Sequence, residues 1–296
     1  MKECYLYKTE GDYTQCQTCH HRCRIAPFKR GICGVRENQK GKLYLLVYGR
    51  IIAENIDPVE KKPLYHFLPG TKSLSIATVG CNFRCAWCQN YDISQCTKDK
   101  DASIRNRILN ELGVEMEPAQ IVEDALKHKC PSISYTYTEP TIFLEFALDT
   151  MKLAKKQDLK NIWVSNGYMT KETLDFITPY LDAINIDLKG FDEAKYLKYS
   201  GARLSPVLEN IREIYKRKIH LEVTTLIVPE VNDTEQELKQ IAEFLAKISP
   251  NIPWHISRFF PTYKMLDAPP TPLETLKLAE QIGKKAGLKH IHLGNV

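Results

Sequence analysis

The stretch that decides the fold runs Val79-Gly80-Cys81-Asn82-Phe83-Arg84-Cys85-Ala86-Trp87-Cys88-Gln89-Asn90. It follows a strand-like run and spaces its three thiols, the loop cysteines Cys81, Cys85 and Cys88, as C-x3-C-x2-C. Structural zinc and most protein-bound iron–sulfur clusters take four protein ligands, so three thiolates in one compact loop can leave one coordination position open. The loop therefore indicates a metal centre at which a further ligand can bind.

Two other interpretations of the loop cysteines are open. Free cysteines also pack as small apolar side chains, and the distant Cys96 could complete a closed site with four ligands. Against both interpretations, the loop is polar and prone to turns, because it contains Gly80, Asn82, Arg84 and Asn90. The composition of the loop favours an open metal site.

The size and composition of the chain limit what it can be. Its 296 residues suffice for one large α/β domain or for a barrel with an appended module. No stretch approaches the roughly 18 consecutive apolar residues of a membrane-spanning helix, and the N-terminus is unlike a signal peptide. We therefore expect a cytoplasmic protein without a membrane partner. A formal net charge of +5 is too small to indicate nucleic-acid binding, but it does not exclude such binding.

Four further thiols, the N-terminal cysteines Cys16, Cys19, Cys23 and Cys33, are spaced C-x2-C-x3-C-x9-C. Four sulfurs so close in sequence can close a tetrahedral site, and either zinc or a second 4Fe-4S cluster accepts four thiolates. His20 or His21 could replace one of them, and coincidental thiols are the remaining alternative. Together with short β segments, these cysteines predict a small metal-binding module over residues 1–70.

Residues 71–296 alternate strand-like runs with amphipathic helical patterns, which is typical of consecutive βα units and a parallel sheet. The candidate strands cover residues 73–79, 131–137, 160–166, 182–188, 219–227 and 252–259. The candidate helices cover residues 117–129, 141–156, 170–180, 205–217, 234–248 and 272–286. Six such units could form a doubly wound open sheet or an incomplete barrel, and the pattern alone does not choose between them.

Polar side chains cluster where these strands end, which is where ligands bind in parallel α/β folds. The candidate ligand contacts are Glu139 after the second strand, Ser165 and Asn166 after the third, Asp187 and Lys189 after the fourth, and His255 and Arg258 in the sixth. Several of them also have an ordinary structural explanation: a turn for the Ser165–Asn166 pair, a salt bridge for the Asp–Lys pair, and a neighbouring carbonyl for the histidine.

The motifs taken together resemble one family. They are C-Q-T-C-H-H-R-C, V-G-C-N-F-R-C-A-W-C-Q-N, S-Y-T-Y-T-E-P-T, S-N-G-Y, I-N-I-D-L-K and W-H-I-S-R-F-F-P. They resemble the radical S-adenosylmethionine (SAM) protein of the AmmeMemoRadiSam system, a homologue of pyruvate-formate-lyase-activating enzymes. The resemblance implies a partial (β/α)6 barrel whose first strand leads into the cluster loop. It also implies that the loop cysteines hold a 4Fe-4S cluster and that SAM chelates the fourth iron.

The resemblance extends to the candidate ligand contacts. Glu139 stands at the end of the motif that binds the SAM amino group, although Tyr137 and Thr138 replace its two usual glycines. The Asp187-x-Lys189 pair is similar to the D-x-K of glycyl-radical-enzyme activases, which lies near SAM.

The function implied is that of a radical SAM enzyme. It would reductively cleave SAM to a deoxyadenosyl radical and abstract hydrogen from an unassigned substrate, with a low-potential electron donor as partner. Other proteins of the system or a protein substrate are further expected partners. One alternative is an activase that installs a glycyl radical on a partner enzyme. Another is a non-enzymatic, metal-stapled scaffold that binds RNA or protein.

Overall fold

A computed structural model describes residues 1–98 and 101–296. Its centre is an eight-stranded sheet in which the strands lie side by side in chain order. They are β1 (Ala53–Pro58), β2 (Lys72–Ala77), β3 (Ser132–Tyr135), β4 (Lys160–Ser165), β5 (Ala183–Asp187), β6 (His220–Ile227), β7 (Trp254–Arg258) and β8 (Ile291–Gly294). Strand β1 pairs antiparallel with β2, and all later neighbours are parallel. Because β1 and β8 are the two edges of the sheet, the barrel is partial and open.

Helices connect the parallel strands. In chain order they are α1 (Tyr91–Ser94), α2 (Ala102–Glu111), α3 (Pro118–Lys127), α4 (Leu144–Lys156), α5 (Lys171–Ile177), α6 (Glu193–Ser200), α7 (Ser205–Lys216), α8 (Glu235–Ile248) and α9 (Leu273–Lys285). The apolar faces of the longer helices pack against strand residues such as Trp163 and Trp254, whose side chains are fully buried. The α/β fold class and the partial barrel are confirmed, and the six predicted strands and helices are all present.

The N-terminal region packs beside this barrel. One antiparallel sheet contains Tyr7–Glu10, Tyr13–Cys16 and Arg24–Ile25, and another contains Lys2–Glu3, Arg36–Gln39 and Lys42–Leu45. A buried ion pair joins Arg36 of the second sheet to Glu145 of α4, with Nη2 and Oε2 2.6 Å apart. Strand β1, inside the range predicted for the module, belongs to the main sheet. The boundary near residue 70 therefore stays a prediction.

Among the described residues, no helix is both long enough and apolar enough to cross a membrane.

Candidate active site

The loop that follows β2 is held in place through its backbone. Gly80 has a φ of +97°, and a Cβ atom there would lie 2.8 Å from a methyl carbon of Val35, so only glycine fits without strain. Further along, the Arg84 amide donates to the Ser200 carbonyl at the end of α6, at 2.8 Å. The loop thus packs closely against the N-terminal region and is hydrogen-bonded to the helix that follows β5.

All three loop cysteines line one cavity of about 470 Å³ at the carboxyl end of the sheet. Burial raises the pKa of the Cys81 thiol to about 12 and also raises that of Cys85, so without metal these thiols are protonated. Cys96 does not line the cavity; its Sγ lies 3.3 Å from the carbonyl oxygen of Ile93. The arrangement fits three thiolate ligands with no fourth cysteine.

The loop cysteines share the wall of one cavity. Over residues 1–98 and 101–296, no three His, Cys, Asp or Glu side chains are grouped so that they could hold a single metal ion. A polynuclear cluster needs more widely separated thiols than one ion does, because each thiolate binds a different iron. Three thiols on the wall of one cavity of this size fit a 4Fe-4S cluster.

Glu139 lies at the wall of the same cavity and is almost completely buried. Its Oε1 accepts from the Thr141 amide at 3.1 Å and from the Ser165 hydroxyl at 2.8 Å, and its Oε2 accepts from the Asn166 amide at 2.8 Å. Burial raises the pKa of Glu139, while these donors oppose the rise. Because backbone amides can only donate, both carboxylate oxygens act as acceptors, and Oε2 keeps room for another donor.

Tyr137 stands where the related motif usually has glycine, and its backbone explains that preference. Its φ is +60°, and the Thr138 amide donates to the Thr136 carbonyl at 2.7 Å, which closes a γ-turn centred on Tyr137. The Asn90 side-chain amide donates to the Tyr137 carbonyl at 2.8 Å, and the Tyr137 hydroxyl bonds to Asp57. These bonds hold a tyrosine in a conformation that glycine adopts more easily.

Ser165 and Asn166, at the end of β4, also line the cavity. The side-chain amide of Asn166 donates to Oδ1 of Asn82 at 2.7 Å and lies 4.0 Å from the Sγ of Cys81. The end of β4 is therefore in direct contact with the cluster loop.

Asp187 and Lys189 line the cavity next to Cys85. The Lys189 ammonium donates to Asp187 Oδ2 at 3.0 Å. Burial disfavours the charge on Lys189, but Asp187 and Cys85 outweigh that effect and raise its pKa. The pair is a salt bridge placed in the wall of the cavity.

Two predicted ligand contacts, His255 and Arg258, do not line the cavity. His255 bonds through Nε2 to Glu222 Oε2 at 2.6 Å, nearer the amino end of the sheet. Although burial acts in the opposite direction, hydrogen bonds from histidines and backbone amides lower the pKa of Glu222. Arg258 donates through Nε to the Thr271 carbonyl at 2.7 Å. Both residues therefore make structural contacts away from the loop cysteines.

Several lining residues were not among the candidate ligand contacts. Lys62 comes from the turn after β1, is 2% exposed, and pairs with Asp57 at 2.6 Å. Ser257 and Asn295 line the cavity from the ends of β7 and β8. Ser257 could have been selected as a polar residue near a strand end, whereas Lys62 precedes the first predicted strand.

Comparison with known proteins agrees with this geometry. An uncharacterized protein of Methanocaldococcus jannaschii is 44% identical over 298 residues, which cover 100% of this chain and 86% of that protein. A candidate glycyl-radical enzyme activating enzyme of the same organism is 27% identical over 216 residues, or 72% of this chain and 77% of that protein. The crystal structure of Streptococcus suis SuiB bound to the precursor peptide SuiA has a TM-score of 0.56 at 11% identity, over 80% of this chain and 51% of that chain.

A family model described as the radical SAM superfamily matches residues 75–245, the segment that contains the loop cysteines and strands β3 to β6. The expected 4Fe-4S cluster and SAM are the cofactors of that superfamily, and the three thiols around the cavity fit the cluster. The chain therefore belongs to the radical SAM superfamily and is an enzyme of that type, not a non-enzymatic scaffold.

Proposed function

We propose that this enzyme binds SAM in the cavity beside the loop cysteines, cleaves it reductively and uses the resulting radical to abstract hydrogen from a substrate. The observation that carries the proposal is the convergence of Cys81, Cys85, Cys88 and Glu139 on one cavity at the carboxyl end of the sheet. When bound, the cluster and SAM supply an electron and a deoxyadenosyl radical.

The protein contributes position and charge. Cys81, Cys85 and Cys88 would hold the cluster, and with no fourth cysteine on the cavity wall among the described residues one coordination position would be free for a further ligand. Glu139 has spare acceptor capacity on Oε2, which suits an ammonium such as the amino group of SAM. Ser165 and Asn166 offer polar contacts beside it, and the Asp187–Lys189 pair adds one acceptor and one cation in the cavity wall near Cys85. These residues are our candidate SAM contacts; His255 and Arg258 are not.

The proposal is tested by anaerobic reconstitution with iron and sulfide, followed by addition of SAM and dithionite. Wild-type protein should form deoxyadenosine and methionine in equal amounts, and Cys85→Ala should form neither, although it keeps the fold. Wild-type protein with a fully loaded, reducible cluster and no SAM binding would refute the proposal.

A second candidate function is activation of a glycyl-radical enzyme. It is supported by the Methanocaldococcus jannaschii relative that is named as such an activating enzyme and by the Asp187-x-Lys189 pair in the cavity wall. Its partner would be a protein substrate. Electron paramagnetic resonance of candidate partner enzymes, after incubation with the reduced protein and SAM, should then show a glycyl doublet. A partner set that gains no such signal would oppose this function.

The narrower assignment, to the AmmeMemoRadiSam system, is supported by the N-terminal cysteine pattern and by W-H-I-S-R-F-F-P over residues 254–261. We propose the other proteins of that system and a low-potential electron donor as partners. Copurification of the tagged chain with those proteins from its native cells tests the assignment, and reproducible absence of all of them would count against it.

A further inference from the structure

The hydroxyl of Ser94 lies beside the sulfur of Cys88. Ser94 is 1% exposed and is the last residue of α1, the short helix that directly follows the cluster loop. Its Oγ lies 3.1 Å from the Sγ of Cys88. The Gly80 amide donates to the Ile93 carbonyl at 2.9 Å, which holds α1 against the loop. The backbone therefore places this hydroxyl at one of the three ligand sulfurs.

Two further side chains extend this contact, and we call Ser94, Gln95 and Lys98 the Cys88 relay. The Nε2 of Gln95 donates to the Oγ of Ser94 at 3.0 Å and to the Phe83 carbonyl at 3.2 Å. The Lys98 ammonium donates to the Oε1 of Gln95 at 3.0 Å. Because an ammonium can only donate and a backbone carbonyl can only accept, these two partners fix the orientation of the Gln95 amide.

The Cys88 relay has a single direction when Cys88 is a cluster ligand. A ligating thiolate carries no proton, so the Ser94 hydroxyl must donate to it. The Oγ of Ser94 accepts from Gln95, which leaves its own proton free for the sulfur. Hydrogen bonds in a chain polarise one another, and those to an ionised acceptor are stronger than those between neutral groups. The positive charge of Lys98 is thus connected to Cys88 through side-chain hydrogen bonds alone.

The charge of Lys98 also acts on the rest of the cluster loop. Lys98 is half-buried, and its ammonium donates to the carbonyl of Phe83, which lies between Cys81 and Cys85 in the sequence. Burial lowers the pKa of Lys98, whereas negative charge on Cys81 and Cys85 opposes that effect. A 4Fe-4S cluster becomes more negative when it accepts an electron, so hydrogen-bond donors and a cation at its ligands favour the reduced state.

We propose that the Cys88 relay raises the midpoint potential of the loop cluster and so makes its reduced state accessible to a low-potential donor. In this step the donor is oxidised by one electron and the cluster is reduced by one electron; no bond is formed or broken and no proton moves. Gln95 and Lys98 are positioning residues, because they act on the cluster through Ser94 and Cys88. The consequence for SAM cleavage rests on the proposed function, whereas the midpoint potential depends on the cluster alone.

A redox titration of the reconstituted protein without SAM, followed by electron paramagnetic resonance, tests the proposal. The N-terminal cysteines line a small space of their own and the metal expected there stays a prediction, so every titration uses a Cys19→Ser/Cys23→Ser background that breaks this set of thiols. Ser94→Ala should lower the equilibrium constant for one-electron reduction by about 2- to 10-fold. A tenfold change is a shift of about 59 mV to more negative potential. Ser94→Thr keeps the hydroxyl and should keep the potential, as should Ser132→Ala, which removes a buried hydroxyl at the end of β3 away from the cavity.

A double-mutant cycle tests whether the residues act as one chain. Lys98→Met should also shift the potential to more negative values, and Ser94→Ala/Lys98→Met should shift it by less than the sum of the two single changes, because either change interrupts the same chain. Lys216→Met removes an exposed charge on α7 and should leave the potential unchanged. At full iron content, an unshifted potential in Ser94→Ala or in Lys98→Met would overturn the proposal, and strictly additive shifts would overturn the relay. Because the titration contains no SAM, these results are independent of whether the protein cleaves SAM.

Discussion

Replacing Glu139 by glutamine tests the assignment of SAM binding to this cavity. The substitution keeps the size of the side chain and removes its charge. Thr141 and Ser165 donate to Oε1, so the new amide nitrogen fits best at the Oε2 position. There it faces the Asn166 amide, which is also a donor. In the proposed complex it also faces the amino group of SAM. Glu139→Gln should therefore weaken both the local structure and the binding of SAM.

The magnitudes follow from the hydrogen bonds. One buried amide left without an acceptor should cost about 1–3 kcal/mol of folding free energy. Loss of a charged hydrogen bond to the SAM ammonium should cost about 1.5–3 kcal/mol of binding free energy. Because 1.4 kcal/mol corresponds to a factor of ten, the Kd for SAM should rise by about 10- to 100-fold.

Anaerobic calorimetry of SAM binding, at matched iron content and without reductant, measures this effect. Thr141→Val is the matched control, because it removes one hydroxyl donor from Glu139 Oε1 but leaves the carboxylate charged. The control should bind SAM nearly as the wild type does. If Glu139→Gln bound SAM with the wild-type Kd, Glu139 would be only a structural link between β3 and β4, and the reasoning would be refuted.

Three further predictions concern stability and are measured by urea unfolding at matched iron content. Arg36→Met should destabilise the protein by about 3–5 kcal/mol, because the Glu145 carboxylate stays buried without its partner. Adding Glu145→Met should recover most of the lost free energy of unfolding. A double variant that is no more stable than the single variant would contradict this. Gly80→Ala should lower the free energy of unfolding by about 1–2 kcal/mol because of the positive φ, and by more because the new Cβ would meet Val35. An unchanged unfolding midpoint would contradict that reasoning. Burial and neighbouring histidines lower the pKa of His292 from 6.5 to about 4. As the pH falls through that range, His292 is protonated in the unfolded chain before it is protonated in the folded chain, so the free energy of unfolding should decrease. His292→Gln should flatten that part of the pH profile, and a profile with the wild-type slope would contradict the assignment.

The main sheet was predictable where strands are buried on both faces. Strands β2 to β7 are such runs, and amphipathic helices separate them. Strand β1, Ala-Glu-Asn-Ile-Asp-Pro, is largely polar and exposed because it is an edge strand with one neighbour. Strand β8 has only four half-buried residues. Neither edge has the hydrophobic pattern from which a strand is recognised, so both depend on tertiary pairing.

The site residues were predictable where they lie close together in the sequence. They were not predictable where the extent of the cavity along a strand decides which residue lines it. His255 and Ser257 lie on the same face of β7, because side chains alternate along a strand, but Ser257 is about 7 Å nearer the carboxyl end. Ser257 reaches the cavity and His255 does not. Arg258 faces the other side of the sheet. Sequence pattern identifies a strand end but does not say how far down the strand a cavity extends.

The most direct test of the central claim is electron-nuclear double resonance on the reduced, reconstituted protein with SAM labelled with ¹⁵N at its amino group. Coupling between the label and a 4Fe-4S cluster is the predicted result, and Cys85→Ala should lack it. Saturating SAM that produced no coupling to a reduced cluster in the wild type would contradict the account, because the open iron would then not be where SAM binds.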